Sequence, residues 1–216
     1  MYGARSMPDQ LVQFDRPLAP VVVSNISPST SVDAVALTFA SFGAFLKRRL
    51  RLLDSHDGES RYCFIHYFLR ESAHAAVRAA QQQLHLDGRQ LRLRWARDDP
   101  ADERAPLGAL ECVDMANHFL GFNGWATELV AIKREGSAWS ATVALVVRSF
   151  GVRVEGAAAN VTSDESDQSD AMNAAMKRAI ADARVQAFRS LLLCTLDGKC
   201  AHIAVTPGAA EARQPG

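Results

Sequence analysis

Two hydrophobic periodicities alternate between Val21 and Trp95, and their order constrains the fold more than any other feature of the chain. Runs that are β-branched or alternate in polarity are typical of strands, and runs with apolar residues three or four apart are typical of helices. The order is strand, helix, strand, strand, helix, strand, which is the ferredoxin-like β-α-β-β-α-β pattern. The strands are predicted at residues 21–26, 49–52, 61–68 and 90–95, and the helices at residues 32–42 and 73–84.

Alternation along the strands assigns side chains to the two faces of this sheet. On the third strand it predicts that Cys63, Ile65 and Tyr67 face the helices. The side chains predicted on the open face are three from the third strand and four arginines from the second and fourth strands: Tyr62, Phe64, His66, Arg49, Arg51, Arg92 and Arg94. Because aromatic rings stack on bases and guanidinium groups bind phosphates, this face is predicted to bind nucleic acid.

The stretch Ser60–Tyr67 resembles the octamer of the RNA-recognition-motif (RRM) family, K/R-G-F/Y-G/A-F-V-x-F/Y. The helix end Phe39–Gly43 and the turn Leu86–Leu91 resemble that family as well, so the resemblance covers residues 20–97. It implies that outward aromatic residues stack on bases. Val22 stands where the family usually has a further aromatic residue. A second interpretation is a protein-interaction scaffold, in which partner proteins cover this sheet and the basic helix face described below.

The second half of the chain is organised around Met115–Trp125. Apolar residues at helical spacing end at Gly121, Asn123-Gly124 is a turn signal, and Trp125 opens an alternating run. Phe119, Phe122 and Trp125 are predicted to pack in the core and the turn. Strands are predicted at residues 125–133 and 139–150, with a third from residue 151. A long helix from Asp170 to about Cys194 and a short strand at residues 199–205 follow.

Four basic residues lie on the side of the long helix opposite its apolar arc: Lys177, Arg178, Arg184 and Arg189. They are predicted to form a basic outer face. Both an ordinary solvated face and a phosphate-binding face fit this pattern.

The helix and the Asn123-Gly124-Trp125 turn closely resemble the Rad fifty-two family of single-strand annealing proteins, over roughly residues 109–195. The resemblance implies a groove, lined by the strand meander and the long helix, that holds single-stranded DNA by its backbone. Lys177 and Arg189 match basic positions of that family. Where the family places other cations, this chain has Glu111, Val185 and Gln186.

An RRM followed by a partial Rad fifty-two motif resembles a vertebrate family that joins the two in this order. The resemblance implies a protein of the nucleus and cytoplasm whose partners are single-stranded DNA, duplex DNA and RNA. It also implies a role in the DNA damage response or recombinational repair, and it leaves self-association open.

The predicted fold class is therefore α+β: a ferredoxin-like RRM, then a domain of helix, antiparallel three-strand meander and long helix. The segments are a flexible lead-in (1–19), the RRM (20–97), an acidic proline-containing linker (98–108), the second domain (109–206) and a tail (207–216). The 24 basic and 24 acidic residues balance over the chain. Residues 20–97 nonetheless hold 11 basic against 6 acidic residues, which favours basic local surfaces.

The sequence argues against catalysis, since it contains no P-loop, no G-x-S-x-G motif and no recognisable catalytic constellation. We predict no enzymatic activity and no cofactor. The spacing of Cys194, Cys200 and His202 fits no common zinc pattern, so the four cysteines are predicted to be free thiols. No apolar run approaches the ~18 residues of a membrane helix, and no membrane association is predicted.

Overall fold

A computed structural model describes residues 10–15, 20–96, 105–161 and 168–206. Its helices are α1 (Val32–Ala40), α2 (Arg70–Gln81), α3 (Ala109–Leu120) and α4 (Gln168–Arg189). Its strands are β1 (Gln10–Gln13), β2 (Val21–Ile26), β3 (Leu53–Asp54), β4 (Arg61–Ile65), β5 (His85–Leu86), β6 (Arg89–Gln90), β7 (Arg92–Trp95), β8 (Trp125–Glu135), β9 (Ala138–Val147), β10 (Val152–Val161), β11 (Leu191–Leu196) and β12 (Lys199–Val205).

The chain divides into two compact units. The first, here called the RRM-like unit, is Arg16–Pro106. The second, here called the meander unit, combines Met1–Asp15 with Leu107–Gly216. The meander unit is therefore assembled from two parts of the chain that are far apart in sequence.

The RRM-like unit is built on an antiparallel sheet with the strand order β3-β4-β2-β7. Its core joins one face of β2 and β4 to both helices. The largest residues of this core include Phe39, Ile65 and Tyr67. The Tyr67 hydroxyl donates a hydrogen bond to the Phe39 carbonyl at 3.0 Å, and burial raises the pKa of Tyr67. The predicted β-α-β-β-α-β order is confirmed.

The second strand of this sheet is misplaced in the sequence prediction. Residues 49–52 were predicted as a strand, but Lys47–Arg49 forms a 3-10 helix and the strand is the two-residue segment Leu53–Asp54. The alternation has a real cause, because Leu50 and Leu52 both pack toward the core. The alternation of apolar residues therefore predicted correctly that Leu50 and Leu52 face the core. The hydrogen bonding between strands begins only at Leu53.

The meander unit contains the sheet β10-β9-β8, with α4 packed on one face. Ala141 and Val143 on β9 pack against Ala179 and Ala183 of the helix. At Gly156 the helix backbone approaches so closely that a Cβ atom would lie 2.2 Å from the Ala183 carbonyl oxygen. The predicted helix, three-strand meander and long helix are confirmed.

A second sheet in this unit corrects two predictions. The long helix ends at Arg189, and residues 191–196 form β11, which pairs with both β12 and β1. Residues 1–19 were predicted as a flexible lead-in, but Gln10–Gln13 is a strand of this sheet. The ring of Phe14 is fully buried and stacks on Phe188 with centroids 5.1 Å apart. The four residues of β1 carry too short a pattern to predict their pairing with β11, which lies far away in the sequence.

The turn between α3 and β8 is tightly built. A Cβ atom at Gly124 would lie 1.8 Å from the Leu120 carbonyl oxygen, so only glycine fits. The Trp125 indole N–H donates to the Asn117 side-chain oxygen at 3.1 Å. Phe119 is buried as predicted, but Phe122 is 81% exposed, so its predicted packing role is wrong. The turn projects the side chain of Phe122 away from the core that it closes.

Candidate nucleic-acid interface

The strand register places one set of side chains on the open face of the RRM-like sheet. Val22 lies directly opposite both Phe64 on β4 and Arg94 on β7, and Ser24 lies opposite Arg92. Because opposite residues share a face and side chains alternate, Tyr62 also belongs to this face. Two strand spacings separate β4 from β7, so Tyr62 and the two arginines lie about 10 Å apart across β2.

Three of the predicted residues are accessible on this face. Arg92 and Arg94 are exposed, and Tyr62 is half-buried, with its ring 6.0 Å from that of Phe64 in an edge-on arrangement. Among the described residues, no carboxylate forms an ion pair with Arg92 or Arg94. Accessible cations beside an aromatic ring can contact phosphates and a stacked base.

Leu53 is a member of this face that the sequence interpretation missed. It lies opposite Tyr62 and is 38% exposed. The predicted strand at residues 49–52 ended before Leu53, so the alternation of side chains did not assign Leu53 to a face. Its side chain adds apolar surface beside the tyrosine ring.

Phe64 and His66 are less accessible than predicted. Phe64 is 8% exposed, His66 is fully buried, and Val22 on the neighbouring strand is 5% exposed. None of the three belongs to the core cluster on the helix side of the sheet. For His66, the strand β4 ends at Ile65, so alternation does not extend to it. Of the face's register-defined members, Val22 and Phe64 are therefore buried.

The two arginines predicted on the second strand have separate environments. Arg49 lies in the 3-10 helix, and its Nη2 group donates hydrogen bonds to the carbonyl oxygens of Ala105 and Pro106, at 3.1 and 3.2 Å. Arg51 is exposed but lies outside the strand ladder. The structure thus gives Arg49 backbone partners within its own unit.

The basic residues of α4 also separate into two pairs. Lys177 and Arg178, in the middle of the helix, are exposed. Arg184 and Arg189 are half-buried, and their Nε atoms are buried without a hydrogen-bond partner among the described residues. The last turns of α4 are enclosed, as the burial of Phe188 shows. The predicted basic outer face therefore holds for the first pair and is wrong for the second.

The open face of the meander sheet has different chemistry. Ala126, Ala144 and Ala157 lie on the face opposite α4. The one arginine of β10, Arg153, pairs with Glu155 at 2.6 Å and with Glu128 at 3.8 Å. Its charge is already compensated, so Arg153 offers little attraction to phosphate.

The cysteines are structural in character. Cys63 and Cys112 are fully buried, and burial raises the pKa of the Cys112 thiol to about 12. Among the described residues, no group of three or more His, Cys, Asp or Glu side chains is arranged to hold a metal ion. Within the same ranges, no helix combines the length and the apolar character that crossing a membrane requires.

Two family models match the chain. The RNA recognition motif model matches residues 21–92, and the model described as the RDM1 DSRM domain matches residues 107–144. The chain thus carries an RNA recognition motif followed by a segment of the RDM1 DSRM type, and both support nucleic-acid binding as its class of function.

A curated relative resembles the chain across both of its halves. The chain is 22% identical over 204 residues to "RAD52 motif-containing protein 1" of Gallus gallus, covering 84% of this chain and 74% of that protein. The resemblance to a vertebrate protein of this type, inferred from residues 20–206, is confirmed.

Solved structures give weaker comparisons. "Structure of Rna15 RRM with bound RNA (GU)" is 19% identical, with a TM-score of 0.32, and covers 38% of this chain and 87% of that chain. "Crystal Structure of RNA Binding Protein PG1" is 15% identical, with a TM-score of 0.32, and covers 38% of this chain and 98% of that chain.

Proposed function

We propose that the RRM-like unit binds single-stranded nucleic acid on its open sheet face without a catalytic step. Tyr62 stacks on a base, and Arg92 and Arg94 contact the backbone phosphates. The observation that carries the proposal is the register, which places an accessible ring and two arginines on one face. Base stacking on an aromatic side chain is typically worth ~1–3 kcal/mol.

Replacement of Tyr62 tests the stacking contact. We expect Tyr62→Ala to weaken binding of a fluorescein-labelled oligonucleotide by about fivefold or more, from the ~1–3 kcal/mol of a stacked base. Tyr62→Phe keeps the ring and is the matched control. The measurement is fluorescence anisotropy at two salt concentrations, with unchanged circular dichroism. Equal affinities of the Ala and Phe variants would reject stacking by Tyr62.

The same assay separates the classes of ligand. Single-stranded DNA, RNA and duplex DNA are compared, since the resemblance implies all three. Exposed Lys177 and Arg178 on α4 give the meander unit a second basic site that suits duplex phosphates. Duplex binding that survives Tyr62→Ala would support this second contact.

A protein-interaction scaffold is the second candidate, and the burial of Val22 and Phe64, which leaves fewer side chains accessible to bases, favours it. The two functions differ in their salt dependence. For binding through phosphates, the logarithm of the affinity falls linearly with the logarithm of the salt concentration. Absence of binding to all three nucleic acids at physiological salt would favour the scaffold.

The cellular role that we propose is in the DNA damage response or recombinational repair, in the nucleus and the cytoplasm. The resemblance to RAD52 motif-containing protein 1 supports it. Cells that lack the protein should become sensitive to a DNA-damaging agent. The wild-type chain should restore resistance, and Tyr62→Ala should restore less of it. Imaging of the tagged chain checks the two compartments.

A further inference from the structure

The strand β8 forms one edge of the meander sheet, and its outer side pairs with no other strand of the described chain. It is 11 residues long. At its middle, Leu129 and Val130 are 54% and 42% exposed. Natural edge strands are usually short or protected by charges and bulges, because an unpaired edge accepts another strand. A long edge with exposed apolar residues at its centre is therefore suited to pair with a further strand.

A bulge at Val130 determines which residues of β8 face α4 and which lie on the open face. Val130 has no partner on β9. Before the bulge, Leu129 lies opposite Val143, which packs against α4. After it, Ala131 lies opposite Thr142 on the other face. The open face therefore holds the even-numbered residues of β8 before the bulge and the odd-numbered residues after it.

This change of numbering restricts how β8 can pair with the same strand of a second copy. In an antiparallel pair, opposite residues share a face. Along the whole strand, the first half of one copy lies opposite the second half of the other. The faces then match only where even-numbered residues of the first half meet odd-numbered residues of the second. Matching the faces also aligns the hydrogen-bonding groups, since residues on one face direct their N–H and C=O groups to the same edge.

The charges of β8 select one of the registers that remain. Glu128 and Lys133 are both exposed on the open face, one in each half of the strand. One register places them opposite each other. A shift of two residues places Glu128 opposite Glu135, which is repulsive, and the reverse shift places it opposite Ala131. Glu128 is available for the contact, because Arg153 of its own sheet is 3.8 Å away.

We propose that the meander unit pairs with a second copy of this chain through β8, antiparallel, with Glu128 opposite Lys133 of the second copy. The same register places Leu129 opposite Ile132. Two-fold symmetry repeats each contact, so the interface holds two such ion pairs and two such apolar pairs. The two three-stranded sheets join into one sheet, with both α4 helices on one side and both open faces on the other. The pairing does not depend on the nucleic-acid function proposed above.

Sedimentation velocity of the full chain over a concentration series tests the pairing. We expect a monomer–dimer equilibrium. Glu128→Lys places a lysine opposite Lys133 at both ion pairs and should raise the dissociation constant of the dimer about tenfold or more. Lys133→Glu should do the same. Glu135→Lys is the matched control, since it makes the same charge change on this strand opposite Ala126, and should change the constant by about twofold or less.

A mixture of the two variants tests the register. In a dimer of one Glu128→Lys chain and one Lys133→Glu chain, every lysine of the two positions lies opposite a glutamate. The mixture should therefore dimerise about as tightly as the wild-type chain, although neither variant does so alone. The double variant that exchanges the two charges within one chain should also recover dimerisation. Recovery shows in addition that the variants are folded.

Hydrogen exchange of the wild-type chain tests the edge without a substitution. We expect the amides of β8 to exchange more slowly as the protein concentration rises, and those of the opposite edge, β10, to stay unchanged. A wild-type chain that stays monomeric over the whole concentration series overturns the proposal. A dimer that protects β10 or leaves β8 unprotected overturns it as well, and so does a mixture of the two variants that fails to recover dimerisation.

Discussion

The two large sheets of this protein share a construction and differ in the chemistry of their open faces. Among the described residues, each has one face packed against helices and one face without them. On the RRM-like sheet the open face carries Tyr62 with unpaired Arg92 and Arg94 among the described residues. On the meander sheet it carries alanines, and Arg153 is paired with glutamates. The two sheets therefore share a framework, and the side chains on the open face of each decide what it binds.

The largest expected effect concerns the extent of the meander unit. Phe14→Ala should lower the free energy of unfolding of this unit by about 3–5 kcal/mol, because it leaves a cavity beside Phe188. Urea denaturation followed by far-UV circular dichroism measures the decrease. Leu11→Ala on the same segment, where the side chain is 61% exposed, should change it by about 0.5 kcal/mol or less. If the two variants have equal effects, Phe14 does not belong to the core, and the prediction that residues 10–15 are part of a flexible lead-in is supported.

A smaller effect tests which face of the meander is covered. Gly156→Val should lower the free energy of unfolding by about 1–3 kcal/mol, because its side chain collides with the backbone of α4 at Ala183 and Ala187. Ala157→Val adds bulk at the next residue, on the opposite face, and should be close to neutral. Thermal denaturation of both variants makes the comparison. If Ala157→Val is the more damaging change, the open face of this sheet is packed.

The smallest effects compare the charges of the two open faces. Removing Arg92 and Arg94 together should reduce the slope of log affinity against log salt by about 0.7 for each single-strand phosphate that is no longer neutralised. The measurement is fluorescence anisotropy over a salt series. The charge-matched control removes Arg153 together with Lys133 of β8, which is exposed and lies opposite Ser140 on the open face of the meander sheet. It should leave the slope unchanged.

A third double variant extends this comparison to α4. Lys177→Ala with Arg178→Ala removes the exposed pair and should reduce the slope for duplex DNA if the helix binds phosphates. An unchanged slope on all three nucleic acids identifies this pair as a solvated face. If removal of Lys133 and Arg153 reduces the salt slope more than removal of Arg92 and Arg94 does, the meander sheet binds the phosphates and the RRM-like sheet does not.

Sequence reasoning recovered the elements whose signal is local. The β-α-β-β-α-β order, the meander and the long helix each follow from periodicity over a few residues. It failed where a partner distant in sequence decides: β1 pairs with β11 across most of the chain, and the end of α4 is followed by a strand. For the candidate site it gave the correct face for Tyr62, Arg92 and Arg94. It could not show that Phe64 is covered or that Arg49 already has two carbonyl partners.

The sequence by itself determined which side chains can share a face, since alternation along a strand is a property of the backbone with period two. It also determined the Asn123-Gly124-Trp125 turn, where no side chain other than hydrogen fits at Gly124. Only the tertiary structure decided which members of a face remain accessible. Coverage depends on segments far apart in the chain, so Phe122 is exposed and Phe14 is buried although local pattern suggested the reverse. The alternation of side chains along a strand is a local property, whereas their burial depends on the whole fold. Nucleic-acid binding by the open sheet face depends on both.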